Sequence, residues 1–321
     1  MKAAIVTRAG AVPVYGDFEE PHPEAGERRI AVAASALYPL VKGRASGAHY
    51  SASSPFPFVA GVDGVGRLED GQRTYFFLPR APFGAMAERT IVSSELCVDV
   101  PDGIDDVTAA ALANPGMSSW AAFQERAHLK PGETILINGA TSTSGRLAIQ
   151  IAKYLGASKI VATGRNVDVL NTLTSLGADV TIPLGADDAA FEKSLREEFA
   201  SGIDVVLDYL WGKSAEHILT AGSKAGPQGR PIRFVQIGTA SGANIQLPGA
   251  LLRASQIMLL GSGLGSVPNA RLLAAVAGVL QMAANSGLQI ATKAIPLSSV
   301  EQAWSQDDGR RVVFTMPSAA G

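Results

Sequence analysis

A run of mostly apolar residues, Thr134–Asn138, leads directly into a turn of small residues, Gly-Ala-Thr-Ser-Thr-Ser-Gly at positions 139–145. A helix-like segment follows the turn and begins near Arg146. Backbone N–H groups at the start of such a helix point outward at the positive end of the helix dipole, so they can bind phosphate. Small residues let the backbone approach the phosphates closely. The turn therefore predicts a site for the diphosphate of a dinucleotide.

The turn departs from the usual glycine-rich pattern, because only Gly139 and Gly145 remain of its three glycines. The hydroxyls of Ser142 and Thr143 are expected to donate to phosphate oxygens and partly replace close backbone approach. An ordinary strand–turn–helix, with Thr143 or Ser144 as N-cap, is the alternative. The predicted phosphate-binding residues are Thr141, Ser142, Thr143 and Ser144.

The next strand-like run, 159–163, ends in Gly164, Arg165 and Asn166. An NAD site usually carries Asp or Glu about 20 residues after the glycine turn, where it binds the ribose 2′-hydroxyl. Here that acid is missing, and the Arg165 guanidinium can pair bidentately with a 2′-phosphate. We predict NADPH rather than NADH, bound at this end by the three residues. A solvated surface arginine is the alternative interpretation of Arg165.

Strands and helices alternate regularly after residue 130. Six apolar, β-branched runs predict strands separated by amphipathic helices, at 134–138, 159–163, 179–182, 204–208, 232–237 and 256–260. This pattern is typical of an α/β fold with a doubly wound parallel sheet. Before about residue 114, short runs punctuated by Gly and Pro predict a smaller, mostly antiparallel β domain. The β-like run 311–316 is expected to return to that domain.

Composition excludes several classes of protein. The chain has 321 residues, of which 47% are hydrophobic, so a packed core is expected and wholesale disorder is not. A formal net charge of −2 gives no basic footprint for nucleic acid. The single Cys97 excludes a disulfide framework, a zinc finger and an iron–sulfur cluster. No apolar run has the length of a signal peptide or a membrane span, so we expect a cytoplasmic protein.

Further segments extend the pattern: FVAGVDGVG at 58–66, KPGE at 130–133, AIQIAK at 148–153 and DVVLD at 204–208. With the phosphate turn, they make the chain similar to the medium-chain dehydrogenase/reductase superfamily over essentially its whole length. It most resembles the zinc-independent quinone oxidoreductase branch. The resemblance implies a Rossmann domain at 117–264, a GroES-like substrate domain formed by 1–116 and 265–321, and a homodimer.

The resemblance stops at the metal. Zinc-dependent members carry a cysteine in the segment occupied here by 37–40, and a His-Glu pair where this chain has Val62 and Asp63. The four histidines are scattered without ligand spacing, whereas catalytic zinc takes three protein ligands. We therefore predict a zinc-free enzyme. Asp63 is expected to be a buried structural carboxylate rather than a base.

The resemblance also implies positions for the substrate-side residues. Tyr50 lies where related enoyl thioester reductases carry a tyrosine proton donor, and Tyr38 lies where quinone oxidoreductases usually carry Asn. Either phenol could donate a proton to the reduced substrate, and aromatic packing is the alternative for both. Asn114-Pro115-Gly116 is expected to open a helix, with Asn114 at the nicotinamide. The remaining predicted contacts to the nicotinamide are Gly238, Thr239, Ser262 and Gly263.

These inferences predict an NADPH-dependent oxidoreductase that transfers a hydride to a quinone or an activated enone. Enoyl thioester reduction is the nearest alternative, and Lys42 and Arg44 are the candidate cations for a coenzyme A phosphate. A non-catalytic NADPH-binding sensor or structural protein is the alternative from another class. The expected partners are a small-molecule substrate and a second copy of the chain, without nucleic acid or membrane.

Overall fold

A computed structural model describes residues 1–49, 52, 55–185, 187–227, 229–306 and 308–317. The chain divides into two compact units, one formed by Met1–Asn114 with Leu273–Gly321 and the other by Pro115–Leu272. No helix within the described ranges is both long and apolar enough to cross a membrane.

The elements are numbered in chain order. The first group is β1 (Lys2–Val6), β2 (Val14–Asp17), β3 (Glu27–Ala36), α1 (Pro39–Ala45), β4 (Phe58–Val59), β5 (Asp63–Arg67), β6 (Arg73–Phe77), β7 (Arg89–Ser93), β8 (Cys97–Asp99) and α2 (Asp106–Ala121). The second is β9 (Thr134–Asn138), α3 (Thr143–Tyr154), β10 (Lys159–Gly164), α4 (Val167–Thr172), β11 (Val180–Pro183), α5 (Asp188–Ser201), β12 (Val205–Asp208), α6 (Gly212–Ala225), β13 (Ile232–Gln236), α7 (Gly249–Arg253) and β14 (Ile257–Gly261). The last is α8 (Asn269–Ser286), β15 (Thr292–Pro296), α9 (Val300–Ala303) and β16 (Arg311–Thr315).

The central unit is built on a parallel sheet with the order β11-β10-β9-β12-β13-β14. Its middle strands are buried along their length, which explains why their sequences are nearly continuous apolar runs. Within this sheet the first strand along the chain is β9. The next two strands, β10 and β11, lie on one side of it, and the following three lie on the other side, so the strand order reverses beside β9. Ligands of such sheets bind at this reversal, outside the carboxyl ends of the strands. The predicted doubly wound α/β fold is confirmed.

The other unit is mostly antiparallel. One sheet has the order β15-β16-β3-β5-β6-β8 with β7 also paired to β3, and a smaller sheet has the order β2-β1-β4. β16 pairs with β3 in antiparallel register, Val313 opposite Ala36, so the end of the chain returns to the unit that contains its beginning. Large side chains fill this core, among them Tyr75, Phe76 and Phe314, which are fully buried.

One prediction about a helix start is wrong. Asn114-Pro115-Gly116 does not open a helix, because α2 runs from Asp106 to Ala121 with Pro115 inside it. A proline interrupts a helix by removing one N–H and crowding the preceding turn. Here the Ser118 hydroxyl donates to the Pro115 carbonyl at 2.8 Å, and alanines on the preceding turns are buried. Tertiary packing keeps the helix continuous through a residue that local propensity would exclude.

Candidate functional site

The turn between β9 and α3 has no room for side chains at its two glycines. Gly139 has a φ of +90°, and a Cβ there would lie 2.9 Å from the Leu210 side chain. A Cβ on Gly145 would lie 2.5 Å from the carbonyl oxygen of Gly139. Side chains are therefore excluded at both positions, by a left-handed backbone in one case and by close contact between helix and strand in the other. The two glycines that the sequence retains are the two that the turn requires.

The first turn of α3 leaves donors available. Ser142, rather than Thr143 or Ser144, is the N-cap, since its hydroxyl oxygen accepts from the Gly145 N–H at 3.1 Å. The same hydroxyl donates to the Gly139 carbonyl at 2.9 Å, so it already has a partner. The N–H groups of Thr143 and Ser144 have no hydrogen-bond partner among the described residues. Two outward N–H groups at the start of a 12-residue helix suit a phosphate.

The end of β10 has no room for a side chain at Gly164 and carries a positive charge at Arg165. A Cβ on Gly164 would lie 2.3 Å from the Thr141 side chain, so the residue at the position of the missing acid cannot carry a side chain while Thr141 stays in place. Arg165 is exposed, and its guanidinium has no hydrogen-bond or ion-pair partner within the described ranges. The Asn166 side chain caps α4 by accepting from the Val169 N–H at 3.1 Å. Arg165 is thus the available side chain of the three.

Four of the remaining predicted cofactor residues lie just beyond strand ends of the same sheet, and the fifth, Asn114, lies in a helix. Gly238 and Thr239 follow β13, and Ser262 and Gly263 follow β14. Gly238 lies against the next loop, because a Cβ there would be 2.5 Å from the Tyr209 carbonyl oxygen. Carboxyl ends of parallel strands share one edge of the sheet, so these residues lie at the edge that carries the phosphate turn. Asn114 lies in α2, where its side-chain amide nitrogen is buried without a hydrogen-bond partner among the described residues.

A buried polar network behind the phosphate turn was not predicted. Asn138 donates from Nδ2 to the Asp208 carboxylate at 2.8 Å and accepts from the Thr163 hydroxyl at 2.7 Å. Asp208 also accepts from the N–H groups of Leu210 and Trp211, and burial raises the pKa of Asp208. These bonds place Leu210 against Gly139 and so fix the turn. The signal in the sequence is a polar residue near the end of each of three apolar strands.

In the mostly antiparallel unit, Tyr38 has a partner that the sequence did not reveal. Its side chain is buried, and its hydroxyl donates to Asp63 Oδ1 at 2.5 Å. The Tyr75 hydroxyl donates to the other carboxylate oxygen at 2.8 Å. Burial raises the pKa of Asp63 to about 6, although the two phenols act in the opposite direction. Burial and the Asp63 charge raise the pKa of Tyr38 well above its ordinary value.

Two arginines interact with Tyr38. The Arg311 guanidinium carbon lies 5.6 Å from the centre of the Tyr38 ring. Arg44, in the last turn of α1, is partly buried, and burial lowers its pKa. Neither Lys42 nor Arg44 has a carboxylate partner in the part of the chain that the structure describes. Tyr50, the other predicted proton donor, lies outside the described residues.

Comparison with known proteins finds similar dehydrogenases and reductases. Residues 145–284 match a family model described as a zinc-binding dehydrogenase. A probable NADPH-dependent quinone reductase from Emericella nidulans is 29% identical, over 98% of this chain and 99% of that protein. The solved quinone oxidoreductase from Thermus thermophilus, also solved in complex with NADPH, is 27% identical with a TM-score of 0.81, over 98% of this chain and 100% of that one. These similarities support the resemblance of the chain to the medium-chain dehydrogenase/reductase superfamily.

A relative that matches a shorter part of the chain is named for a different substrate. The 2-methylene-furan-3-one reductase of Solanum lycopersicum is 30% identical over 65% of this chain, and the match spans 56% of that protein. Quinone and enone reductases therefore both occur among the members of the superfamily that this chain resembles.

The positions that hold zinc in zinc-dependent members of the superfamily have a different chemistry here. Asp63, at the position of the acidic ligand, accepts hydrogen bonds from the hydroxyls of Tyr38 and Tyr75. Within the described ranges, no group of three or more His, Cys, Asp or Glu side chains could hold a metal ion. Cys97 lies in β8 and is partly buried, with a pKa that burial raises. Asp63 is thus a carboxylate that accepts hydrogen bonds from Tyr38 and Tyr75.

Proposed function

We propose that this protein is a zinc-independent, NADPH-dependent reductase that transfers a hydride to a quinone or an activated enone. The observation that carries the proposal is the end of β10, where Gly164 leaves no place for a ribose-binding acid and Arg165 presents an unpartnered guanidinium. A 2′-phosphate is the anion that such a fork binds bidentately. The whole-length relative and the solved neighbour named above support the same cofactor and acceptor class.

The residues present fit NADPH along its length. The free N–H groups of Thr143 and Ser144 would bind the diphosphate, with the hydroxyls of Thr141 and Thr143 beside them. Arg165 would bind the 2′-phosphate. The loops after β13 and β14 would meet the nicotinamide, and the orphaned amide of Asn114 offers a donor to its carboxamide. NADPH, when bound, supplies the hydride. The protein binds and orients the cofactor and the substrate, and it provides the proton for the reduced substrate.

The protein's chemical task is to handle the charge that the hydride creates. Reduction of an enone leaves negative charge on the substrate, which a placed donor must neutralise. We propose that one of the two phenols, Tyr38 or Tyr50, is the donor. Quinone reduction needs less help, because the reduced oxygen can take its proton from water.

Enoyl thioester reduction is a second candidate, and one observation favours it. Lys42 and Arg44 have no carboxylate partner in the described ranges, and a partly buried unpaired guanidinium is costly unless an anion binds it. Charge at the end of a helix also stabilises that helix, which is the structural explanation for both residues. The coenzyme A phosphates would supply the anion.

The test is a turnover assay with a panel of acceptors. We expect NADPH to be oxidised with quinones or simple enones, and with undiminished rate after exhaustive chelation. Faster reduction of an enoyl thioester than of the matching simple enone would favour the second candidate. Binding of NADPH without turnover of any acceptor would contradict both and leave a non-catalytic protein. Stoichiometric zinc lost together with activity would contradict zinc independence.

We also propose that the protein works in the cytoplasm. NADPH is available there, and a partly buried free thiol such as Cys97 suits a reducing compartment.

We further propose a homodimer formed through β14. This strand lies at the end of the parallel sheet, paired with β13 on one side and with no strand among the described residues on the other. Met258 and Leu259, on opposite faces, are 44% and 38% exposed. The opposite edge strand, β11, ends in Pro183, which cannot donate to another strand. An open, apolar edge favours pairing with a second copy of itself.

A lysine on β14 should separate the dimer. Met258→Lys places a charge on the open strand, where charges prevent edge pairing, so sedimentation velocity should show a monomer for the variant and a dimer for the wild type. Val12→Lys is the control, because Val12 is also exposed (40%) but lies far from this strand in sequence and in the other unit. A dimer that survives Met258→Lys, or a monomeric wild type, would contradict the proposed interface.

A further inference from the structure

The carboxylate of Asp63 is a buried titratable group to which the proposed reaction gives no task. It is 1% exposed, and each of its oxygens accepts one phenolic hydrogen bond, from Tyr38 at 2.5 Å and from Tyr75 at 2.8 Å. Tyr38 immediately precedes α1, Asp63 begins β5, and Tyr75 lies in β6. The hydroxyl of a predicted proton donor therefore points at a carboxylate, and in that arrangement it cannot donate to anything else.

Among the described residues, few charged or titratable groups face this carboxylate. They are the two phenols and the Arg311 side chain of β16, whose charge lowers the pKa of Asp63. Arg44 of α1 interacts with Tyr38 in turn. The Ser35 hydroxyl of β3 donates to the backbone carbonyl of Asp63 at 2.9 Å and holds the strand in place. Two neutral phenols are weaker partners than a direct ion pair, so the carboxylate can take up a proton at moderate pH.

We propose that Asp63 is a positioning residue that stores the proton which Tyr38 passes to the reduced substrate. The proposal rests on the proposed NADPH-dependent reduction. A protonated Asp63 changes the direction of one hydrogen bond, because its Oδ1–H donates to the Tyr38 oxygen. The Tyr38 hydrogen is then free to point at the substrate. Oδ2 remains an acceptor for Tyr75, so every buried polar atom of the trio keeps a partner in both states.

The proton balance closes without forming a tyrosinate. Bound NADPH would supply a hydride to the β-carbon of an enone, and the substrate would then carry the negative charge of an enolate. The enolate takes the hydrogen of the Tyr38 hydroxyl, and the Tyr38 oxygen takes the hydrogen of Asp63 in the same movement. The products are the neutral reduced substrate, neutral Tyr38 and the Asp63 carboxylate. Solvent restores the proton on Asp63 before the next turnover.

This arrangement predicts the direction of the pH dependence. Only the protonated form of Asp63 releases Tyr38, so enone turnover is highest below the Asp63 pKa of about 6 and falls tenfold per pH unit above it. Tyr75 stabilises the carboxylate by donating to it, and therefore opposes protonation. Removing the Tyr75 hydroxyl raises the pKa of Asp63 and should extend activity to higher pH. If Tyr75 had only a structural role, removal of its hydroxyl would not increase enone turnover at higher pH.

The experiment compares pH profiles of enone turnover for the wild type, Tyr75→Phe and Asp63→Asn. In Tyr75→Phe, the descending limb should move up by roughly one pH unit or more, which raises turnover at pH 8 about tenfold. Asp63→Asn has the same shape but no proton to give, so its turnover should be low and independent of pH between 5 and 8. Quinone turnover is the internal control and should change little in either variant, since water can protonate the quinol anion that hydride transfer leaves.

A second readout needs no cofactor or substrate. Difference infrared spectroscopy of the free protein should show the carbonyl stretch of a protonated carboxylic acid that titrates near pH 6, is absent in Asp63→Asn and titrates at higher pH in Tyr75→Phe. A wild type that oxidises NADPH, but whose profile and infrared titration are unchanged by Tyr75→Phe, would overturn the assignment and leave the proposed function intact. A protein that shows the infrared titration but turns over no acceptor would instead contradict the proposed function. If Asp63→Asn does not fold, the Tyr75→Phe comparison decides.

Discussion

Arg165→Ala weakens NADPH binding by about tenfold to more than a hundredfold and leaves NADH binding almost unchanged. This is the expected result of removing the one unpartnered guanidinium of the 164–166 segment, since losing a charged hydrogen-bond partner costs on the order of 1.5–3 kcal/mol. The Arg165 side chain is exposed and has no partner among the described residues, so its removal breaks no hydrogen bond or ion pair of the folded protein there. Fluorescence titration with each cofactor measures the two affinities directly.

NADH serves as the internal control, because it shares every contact except the 2′-phosphate. Arg253→Ala is the matched variant: Arg253 is an exposed arginine of the same unit at the end of α7 and should leave both affinities unchanged. An equal loss for NADPH and NADH in Arg165→Ala would show that Arg165 binds another part of the cofactor. No loss for either would leave the 2′-phosphate without its proposed partner.

The parallel sheet could be predicted closely because its signal is local. The first predicted strand, Thr134–Asn138, coincides with β9, and the others differ from the observed strands by about a residue at an end. A buried parallel strand is a contiguous apolar run, so its bounds are visible in the sequence alone. The phosphate turn is equally local: Gly139 and Gly145 are required by contacts with residues close to the turn and with one neighbouring loop.

Predictions at helix ends were less accurate, because the competing interactions are not local. The hydroxyls between Gly139 and Gly145 all have N-cap chemistry, and only the three-dimensional turn selects Ser142. Pro115 is a strong signal for a helix start, yet burial of the surrounding helix overrides it. In both cases the residue types are ones that occur at the start of helices, and packing decides where the helix begins.

The environment of Tyr38 could not be predicted from its neighbours in sequence. Asp63 pairs with Phe77 and Val65 pairs with Tyr75 across β5 and β6, so Asp63 and Tyr75 are diagonal neighbours on one face. That relation depends on the register of two strands, and the contact with Tyr38 depends on the path of the chain after β3. The expectation that Asp63 is buried and needs partners followed from its type, whereas the identity of those partners needed the fold.

The pair Tyr38→Phe and Tyr50→Phe should identify the proton donor. We expect Tyr38→Phe to lower enone turnover by about 100- to 10,000-fold, the usual contribution of a positioned general acid, and to lower quinone turnover only slightly. Phenylalanine keeps the buried ring and its contact with Arg311, so NADPH affinity should not change. Steady-state rates with an enone and a quinone, measured on the same preparations, give the comparison.

Tyr50→Phe is the matched control, since it removes the hydroxyl of the other predicted donor. We expect it to retain most of the enone turnover, because the proposed proton path runs from Asp63 through Tyr38. On that path Tyr38 forms no tyrosinate, since the Asp63 carboxylate is formed in its place. A large loss in Tyr50→Phe with normal turnover in Tyr38→Phe would make Tyr50 the donor and Asp63 a structural acid. Normal turnover in both variants would assign protonation to water, and the trio of Tyr38, Asp63 and Tyr75 would then serve only to hold β5 and β6 against the segment after β3.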